Sequence, residues 1–390
     1  MANLLEKASI ILTPTAYSDG KMHSAKPIVS TNPSVGDFDF ARASVGTRVN
    51  ENGLIEEVAS GLPRIDYTDG SGSWLLEPAS TNLITYSEDF SNAIWTKSGN
   101  TVVTLNNAIS PDGTLNASTV TGLSGTSTND LYTQPTFNTS NKTVTYSVYL
   151  KGSGTLRINV SNNIDDNSSK TLTLTNNWER YFITYSFNAS ASTQMVCNLD
   201  DLSATATTYE VWGAQLEENS YSTSYIKTVG TTQTRSADTA NGAGNSTVIN
   251  SSEGVLYAEI SALADDLSER RFGISDGTSS NVVRVSYTSE SNKIIAVVYN
   301  GSNQAILSYV SSDITQNSKI AFKYKANDFA LWVDGVERST GTIGSVFTAN
   351  TLNSLDFNIG GSNPFYGKTK SVQVYTTALS DAELTTLTTI

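Results

Sequence analysis

The chain has 390 residues, with 37 acidic against 24 basic side chains and a net charge of −13. Lysine and arginine are scattered rather than clustered, which excludes a phosphate-backbone partner, and 18 Tyr, 12 Phe and 5 Trp supply too much bulk for a disordered chain. The length implies two or three cores, and a charged fraction of only 16%, with abundant Ser, Thr, Asn and Gly, favours extended sheet with polar outer faces.

Residues 1–35 carry little periodic pattern and are punctuated by Pro14, Pro27 and Pro33. Leu4–Ala8 can form a short helix, but the segment cannot bury a core alone and reads as an extended anchor that packs on something else. The opening lacks the apolar run and cleavage site of a signal peptide, and no window of about 18 apolar residues suggests a membrane helix. Residues 36–85 read as a connecting β-rich segment. Phe38-Asp39-Phe40 alternates, Asn52-Gly53 is a strong turn, residues 63–67 are extended, and Trp74-Leu75-Leu76 is an apolar patch.

Residues 86–228 are repeatedly strand-like, at 143–150, 156–160, 178–187 and 208–216, with turn formers between them. The pattern predicts an antiparallel sandwich of jelly-roll type. Cys197 is the only cysteine and lies in the apolar run 195–199, where a buried inert thiol is expected. A chain with no disulfide suits synthesis in a reducing cytoplasm. Residues 229–247 are polar and rich in Gly, Thr and Ala, the composition of a linker or an extended crossing segment.

Residues 248–390 hold strand candidates at 255–260, 282–287, 294–299, 306–310, 320–324, 329–333, 355–359 and 371–375. Asn300-Gly301 and Asp334-Gly335 fall between apolar runs, the strongest short-range hairpin signal. Ser380-Asp381-Ala382-Glu383 is a capping box opening a closing helix. The predicted fold is all-β, with two tandem antiparallel sandwiches after the N-terminal segment.

Candidate chemistry is sparse. His23 is the one histidine; any Ser-His-Asp site would have to use it, and it sits in the anchor with no partner motif nearby. The adjacent carboxylates Asp165-Asp166, Asp200-Asp201, Asp265-Asp266 and Glu217-Glu218 do not by their spacing face each other across a substrate, as glycoside hydrolysis requires. No catalytic residue is assigned. Oxygen-rich loops can hold calcium, and Asp265, Asp266 and Asp276 are the candidates, although none lies in the twelve-residue spaced loop and solvated turn carboxylates fit them better. No cofactor is required. Sugar recognition would use aromatic faces beside amides and carboxylates. Tyr366, on a loop, is the exposed-aromatic candidate, joined by Trp332, Tyr299 and Trp95, while Trp178 and Trp212 lie in alternating strands and read as core.

Three sets of segments carry a resemblance. Phe40-Ala41-Arg42-Ala43-Ser44-Val45-Gly46-Thr47-Arg48-Val49-Asn50, Gly53-Leu54-Ile55-Glu56, Pro63-Arg64-Ile65-Asp66-Tyr67 and Leu76-Glu77-Pro78-Ala79-Ser80-Thr81-Asn82-Leu83 resemble a block found in bacteriophage tail and virion-surface proteins. Tyr86-Ser87-Glu88-Asp89-Phe90 with Trp95, closed by Trp212-Gly213-Ala214-Gln215-Leu216-Glu217 and Thr223-Ser224-Tyr225-Ile226, is similar to the carbohydrate-binding-type jelly roll of those proteins. Residues 329–335 with Val372-Gln373-Val374-Tyr375 and Ala378-Leu379-Ser380 look like a laminin-G/concanavalin A-like domain. The resemblance implies a phage virion protein, a tail fibre or receptor-binding component that adheres to a host-surface glycan or protein, often as a trimer, with residues 1–35 attached to other virion proteins. Such a protein would be made in the host cytoplasm and released by lysis. The rival readings are a capsid decoration or head fibre and a glycan depolymerase.

Overall fold

The computed structural model describes residues 2–27, 34–122, 129–162, 166–189, 192–200, 205 and 208–389. They form antiparallel sheets with two short α-helices, Ala2–Lys7 and Asp381–Thr388. The chain divides into two compact units, each assembled from separated segments. Met1–Ala43, Val58–Pro78 and Ala237–Ile390 make the first; Ser44–Glu57 and Ala79–Ser236 make the second.

In the first unit an 11-stranded sheet runs Thr239–Asn241, Phe38–Ala41, Lys21–Lys26, Ala8–Ser18, Gly367–Tyr375, Glu253–Ala262, Ser318–Lys325, Phe329–Val333 and Val336–Gly341, with Ser73–Leu76 and Ile65–Asp66 joining beside Gly367–Tyr375. A five-stranded sheet faces it, in the order Asn303–Val310, Lys293–Asn300, Asn281–Tyr287, Arg270–Ser275 and Ser354–Asp356. Along the central strands every second residue points between the sheets. Leu256, Ile320, Phe322, Val372 and Val374 meet Phe272, Ile274, Val283, Val285 and Val298 in one core. Both predicted hairpins are present. Asp334 and Gly335 each adopt positive φ, which matches the strand twist at a two-residue turn.

The large sheet is also covered on its other face. Leu4, Ile11, Val255, Tyr257, Trp332, Tyr375, Leu379 and Leu384 form a second buried layer beneath the two helices. The capping box is made as expected, with the Ser380 amide donating to Glu383 Oε2 at 2.9 Å. Glu383 also pairs with Lys7. Lys26 Nζ donates to the Leu5 and Glu6 carbonyls at 2.8 Å each and so satisfies the open end of the first helix.

Residues 8–26 are no separate anchor, because the strand Ala8–Ser18 lies inside the large sheet, paired with Lys21–Lys26 on one side and Gly367–Tyr375 on the other. Ile10 and Leu12 enter the inter-sheet core while Ile11 faces the helices, so both faces are apolar and no alternation shows. Register shifts at Ile11/Leu12 and before Tyr17 break the pattern further. Residues 229–247 do carry the chain from one unit to the other, at Ser236/Ala237, but as a crossing segment and not a free linker: they hold Gln233–Arg235 and Thr239–Asn241, with Arg235, Asp238, Ala240 and Ala243 buried. The boundaries at 36, 86, 229 and 248 are therefore not those of the fold.

The second unit packs two five-stranded sheets. One runs Val102–Ile109, Leu115–Thr121, Thr208–Glu217, Thr143–Gly152, Glu179–Ser186; the other runs Asn167–Leu174, Gly154–Ser161, Val196–Asp200, Asp130–Thr133, Trp95–Lys97. Val144, Tyr146, Val148, Leu150, Leu156, Ile158 and Leu199 fill the space between them. Cys197 is buried in this core, and burial pushes its thiol well above the usual range. On the other face of the first sheet, Trp212 packs against Tyr225 with ring centroids 4.5 Å apart and against Tyr149 at 5.5 Å, with Ile55 in the same cluster. Buried Glu217 accepts from the Ser80 hydroxyl at 2.6 Å and the Thr223 amide at 3.0 Å, and Gln215 accepts from the Ile226 amide at 2.6 Å. The segments that resemble a phage jelly roll are thus a brace that folds residues 218–226 back onto their own strand.

Four buried charges meet in the first unit. Arg42 Nη1 lies 3.2 Å from Asp238 Oδ1, and Arg64 Nη1 lies 2.7 Å from Glu77 Oε2, while Arg64 Nη2 bonds Asp238 Oδ2. The Glu77 amide adds a bond to Asp238 at 2.8 Å, and Arg42 donates to the Ala59 carbonyl at 2.7 Å. Burial alone would lower the pKa of Arg64, but Asp238 and Glu77 outweigh it and hold the guanidinium charged.

Two predictions follow from this packing. Asp238→Ala is expected to cost about 3–5 kcal/mol by leaving two buried guanidiniums under-paired, read as a lowered urea midpoint; a change below about 1 kcal/mol would show the cluster to be dispensable. A chain lacking residues 1–35 is expected to lose near-ultraviolet circular dichroism and cooperative melting, since Gly367–Tyr375 loses its sheet neighbour. A cooperatively folded truncation would show that this strand is peripheral.

Candidate functional site

The four aromatic candidates separate. Trp95 is core: it stacks on Phe90 with centroids 4.7 Å apart and donates from Nε1 to the Tyr86 carbonyl at 2.9 Å. Trp332 is buried beneath the C-terminal helix, on the outward side of a strand whose other side is also core. Tyr366 is half-buried and packs against the inter-sheet core, so it is not the exposed loop aromatic expected. Tyr299 alone of the four stands half-buried on an outward sheet face. Of the two aromatics read as core, Trp212 is buried and Trp178 is partly exposed, its Nε1 donating to the Ile109 carbonyl at 2.8 Å.

The calcium candidates are turn acceptors. Asp266 receives the Ser268 amide at 3.1 Å and Arg270 Nη2 at 2.7 Å, and Asp265 receives the Ser291 hydroxyl. Asp276 takes the Thr278 amide at 2.9 Å and Asn281 Nδ2 at 2.7 Å. Burial would raise the Asp276 pKa, but the bonds from Asn281 and Thr278 hold it below the usual carboxylate value. Among the described residues no three carboxylate, imidazole or thiol groups gather as a cation would need. Of the carboxylate pairs, Asp165 and Asp201 lie outside the described residues, Asp166 accepts the Asn188 amide at 2.7 Å, and Asp200 is held by Arg157.

His23 differs from expectation. Its Nε2 lies 2.9 Å from Ser18 Oγ and its Nδ1 lies 2.8 Å from Asp37 Oδ2, and Asp37 also accepts the Ser24 amide at 2.8 Å. Spacing concealed this. Register places Lys21 opposite Asp39 and Met22 opposite Phe38, which brings His23 across from Asp37. The bonding order is that of an acyl-transfer relay, yet the group sits on an outward sheet face, and Ser18 is exposed beside a hairpin turn. Acyl transfer also needs preorganised donors at the oxyanion. Ser18 is accordingly expected to resist a fluorophosphonate probe, checked by mass spectrometry of the intact protein; stoichiometric labelling at Ser18 would make it a nucleophile and overturn a purely binding role.

The outward face of the five-stranded sheet brings together groups the sequence did not single out. Cross-strand register builds one row from Asp356, Gly273, Arg284, Val297 and Ile306, and a second from Arg271, Ser286, Ile295 and Ser308. Tyr299 lies opposite Val282, diagonal to Arg284. Ile306 is 56% exposed. Arg271 Nη1 and Arg284 Nη2 approach the same carboxylate oxygen, Glu269 Oε1, at 4.0 and 3.9 Å, beyond hydrogen-bonding reach. Arg271 is anchored elsewhere, donating from Nε to the Ser362 carbonyl at 3.2 Å, and Glu269 is held by Asn363 Nδ2 at 2.7 Å. Arg284 Nε and Ser286 Oγ are buried without a hydrogen-bond partner. Burial and then the Arg271 charge lower the Arg284 pKa, with Glu269 opposing them. In the second unit, by contrast, Arg157 Nε donates to both Asp200 oxygens at 2.9 Å and is fully matched. The available signal was that Arg284 and Ser286 alternate with core Val283, Val285 and Tyr287, which assigns them outward.

Residues 258–385 match the Laminin_G_3 family model, the concanavalin A-like lectin/glucanases superfamily. The first unit is thus a concanavalin A-like sandwich, joined to a second all-β sandwich. No curated protein matches the chain. Among solved structures, the carbohydrate-binding module CBM40 of the Ruminococcus gnavus IT-sialidase, bound to α2,3 sialyllactose, is similar at 19% identity over 38% of this chain and 88% of that one, with a TM-score of 0.33. Domain 4 of the Geobacillus stearothermophilus arabinanase AbnA, in complex with arabinotriose, is similar at 17% identity over 39% and 73%, with a TM-score of 0.27. The enzymatically active domain of bacteriophage CBA120 tailspike protein 4 is similar at 11% identity over 35% and 21%, with a TM-score of 0.30. At such scores these likenesses do not bear on ligand or role.

Proposed function

We propose that this chain is a non-catalytic glycan-binding adhesin on a bacteriophage virion surface, a tail fibre or receptor-binding component. The observation that carries the glycan reading is the concanavalin A-like unit, whose outward sheet face sets Tyr299 and Ile306 beside under-paired polar groups. An aromatic face and a small number of placed polar groups suit the two sides of a pyranose ring. The virion assignment rests on the resemblance of residues 40–83 and 86–226. Several copies, as in a trimer, would turn weak single contacts into avidity. Because residues 8–26 are sheet strands, attachment to other virion proteins would use the surface of a folded unit rather than a free anchor.

The test uses the full-length protein, since residues 248–390 alone would lack Ala8–Ser18 and Ser73–Leu76. It is expected to bind a subset of glycans on an array and to compete with phage adsorption to host cells, insensitive to chelator. Tyr299→Ala is expected to weaken glycan binding about tenfold with an unchanged melting temperature. Full-length protein that joins particles and binds no glycan would favour the decoration or spacer role.

A further inference from the structure

We infer that the outward face around Arg284 binds the carboxylate of an acidic sugar, a uronic or sialic acid residue, with Arg284 as the principal contact and Arg271 beside it. The inference rests on the glycan-binding reading and specifies its substrate class.

Charge and hydrogen bonding both favour this ligand. Two guanidiniums share one carboxylate that neither reaches within hydrogen-bond distance. The trio therefore carries one uncompensated positive charge, in a chain whose net charge is −13. Asp356, across Gly273 from Arg284, makes no ion pair with it and is bonded instead by the Gly242 amide at 2.8 Å, the Ser354 hydroxyl at 2.9 Å and the Ser275 hydroxyl at 3.3 Å. Arg284 is held only 20% exposed, so its burial cost stands without the bonds that would offset it. A guanidinium fork matches a planar carboxylate in two parallel bonds.

Shape agrees with charge. A Cβ on Gly273 would meet the Val283 carbonyl at 2.3 Å and Arg284 Cα at 2.8 Å, so glycine is required where this strand passes Arg284. Tyr299 and Ile306 lie on the next two strands, an apolar strip for the ring that bears the carboxylate. Glu269, fixed by Asn363, offers an acceptor to a sugar hydroxyl. A carboxylate flanked by hydroxyls on an apolar ring face is the arrangement of an acidic sugar, whereas a dianion such as phosphate would place surplus charge against Glu269.

The test is calorimetric titration of full-length protein with glucuronic acid- and sialic acid-terminated oligosaccharides, each paired with its methyl ester and its neutral parent. At least one acid is expected to bind about tenfold or more tightly than its ester, with affinity falling as salt is raised. Arg284→Gln is expected to abolish that preference with an unchanged melting temperature, and Arg284→Lys to restore part of it. Ser286→Ala gives a milder change on the same sheet face, opposite Arg271, should Arg284→Gln fold poorly, and is expected to reduce acid binding severalfold. Equal affinity for acid and ester, a preference for sulfated over carboxylated glycans, or acid binding unaffected by both Arg284→Gln and Ser286→Ala would each overturn the inference. Binding confined to neutral glycans would leave the adhesin reading intact and reject this one; no glycan binding of any kind would reject both.

Discussion

Four buried charges hold the first unit together where its chain is interrupted. The backbone leaves this unit after Ala43, returns at Val58, leaves after Pro78 and returns at Ala237. Arg42, Glu77 and Asp238 stand beside three of those junctions and Arg64 lies just past the fourth, all joined in one ion network. Hydrophobic packing is non-directional and cannot by itself specify which of three separated segments meet. A buried guanidinium can, because any other pairing leaves it charged and unmatched. Segments that resemble a phage virion block contribute Arg42, Arg64 and Glu77, and their role here is architectural.

The second unit relies on the same principle through hydrogen bonds to backbone and hydroxyl groups. Glu217 and Gln215 satisfy backbone and hydroxyl donors of residues 223–226, and Asn82 donates to the Ala214 and Ile226 carbonyls at 3.0 and 2.9 Å. Buried polar groups of this kind are high-stakes contacts, which explains why the recognisable motifs of the chain map to braces rather than to binding surfaces. Motif and proposed site are separate here. The groups proposed for recognition, Arg284 and Tyr299, belong to an otherwise unremarkable alternating strand pair.

This separation accounts for the mixed outcome at the candidate site. Tyr299 was accessible to sequence reasoning because an aromatic in an alternating strand has an even chance of facing outward. Trp95 and Trp332 had the same local signature, yet the first is used inside a core and the second is roofed by a helix from the far end of the chain. The bonds of His23 to Ser18 and Asp37 depend on strand register, which spacing along the chain does not contain.

What the sequence determined by itself was local. Strand positions such as Phe329–Val333, the turns at Asn300-Gly301 and Asp334-Gly335, the Ser380 capping box and the all-β class are written in periodicity and turn chemistry over about ten residues. Only the tertiary structure decided which segments share a unit, that residues 8–18 form an interior strand, and that Arg42 meets Asp238 across 196 positions of chain. It likewise set Arg284, by strand pairing, beside Arg271 and Glu269. These are non-local outcomes, selected by which pairings leave the fewest buried charges and polar groups unmatched.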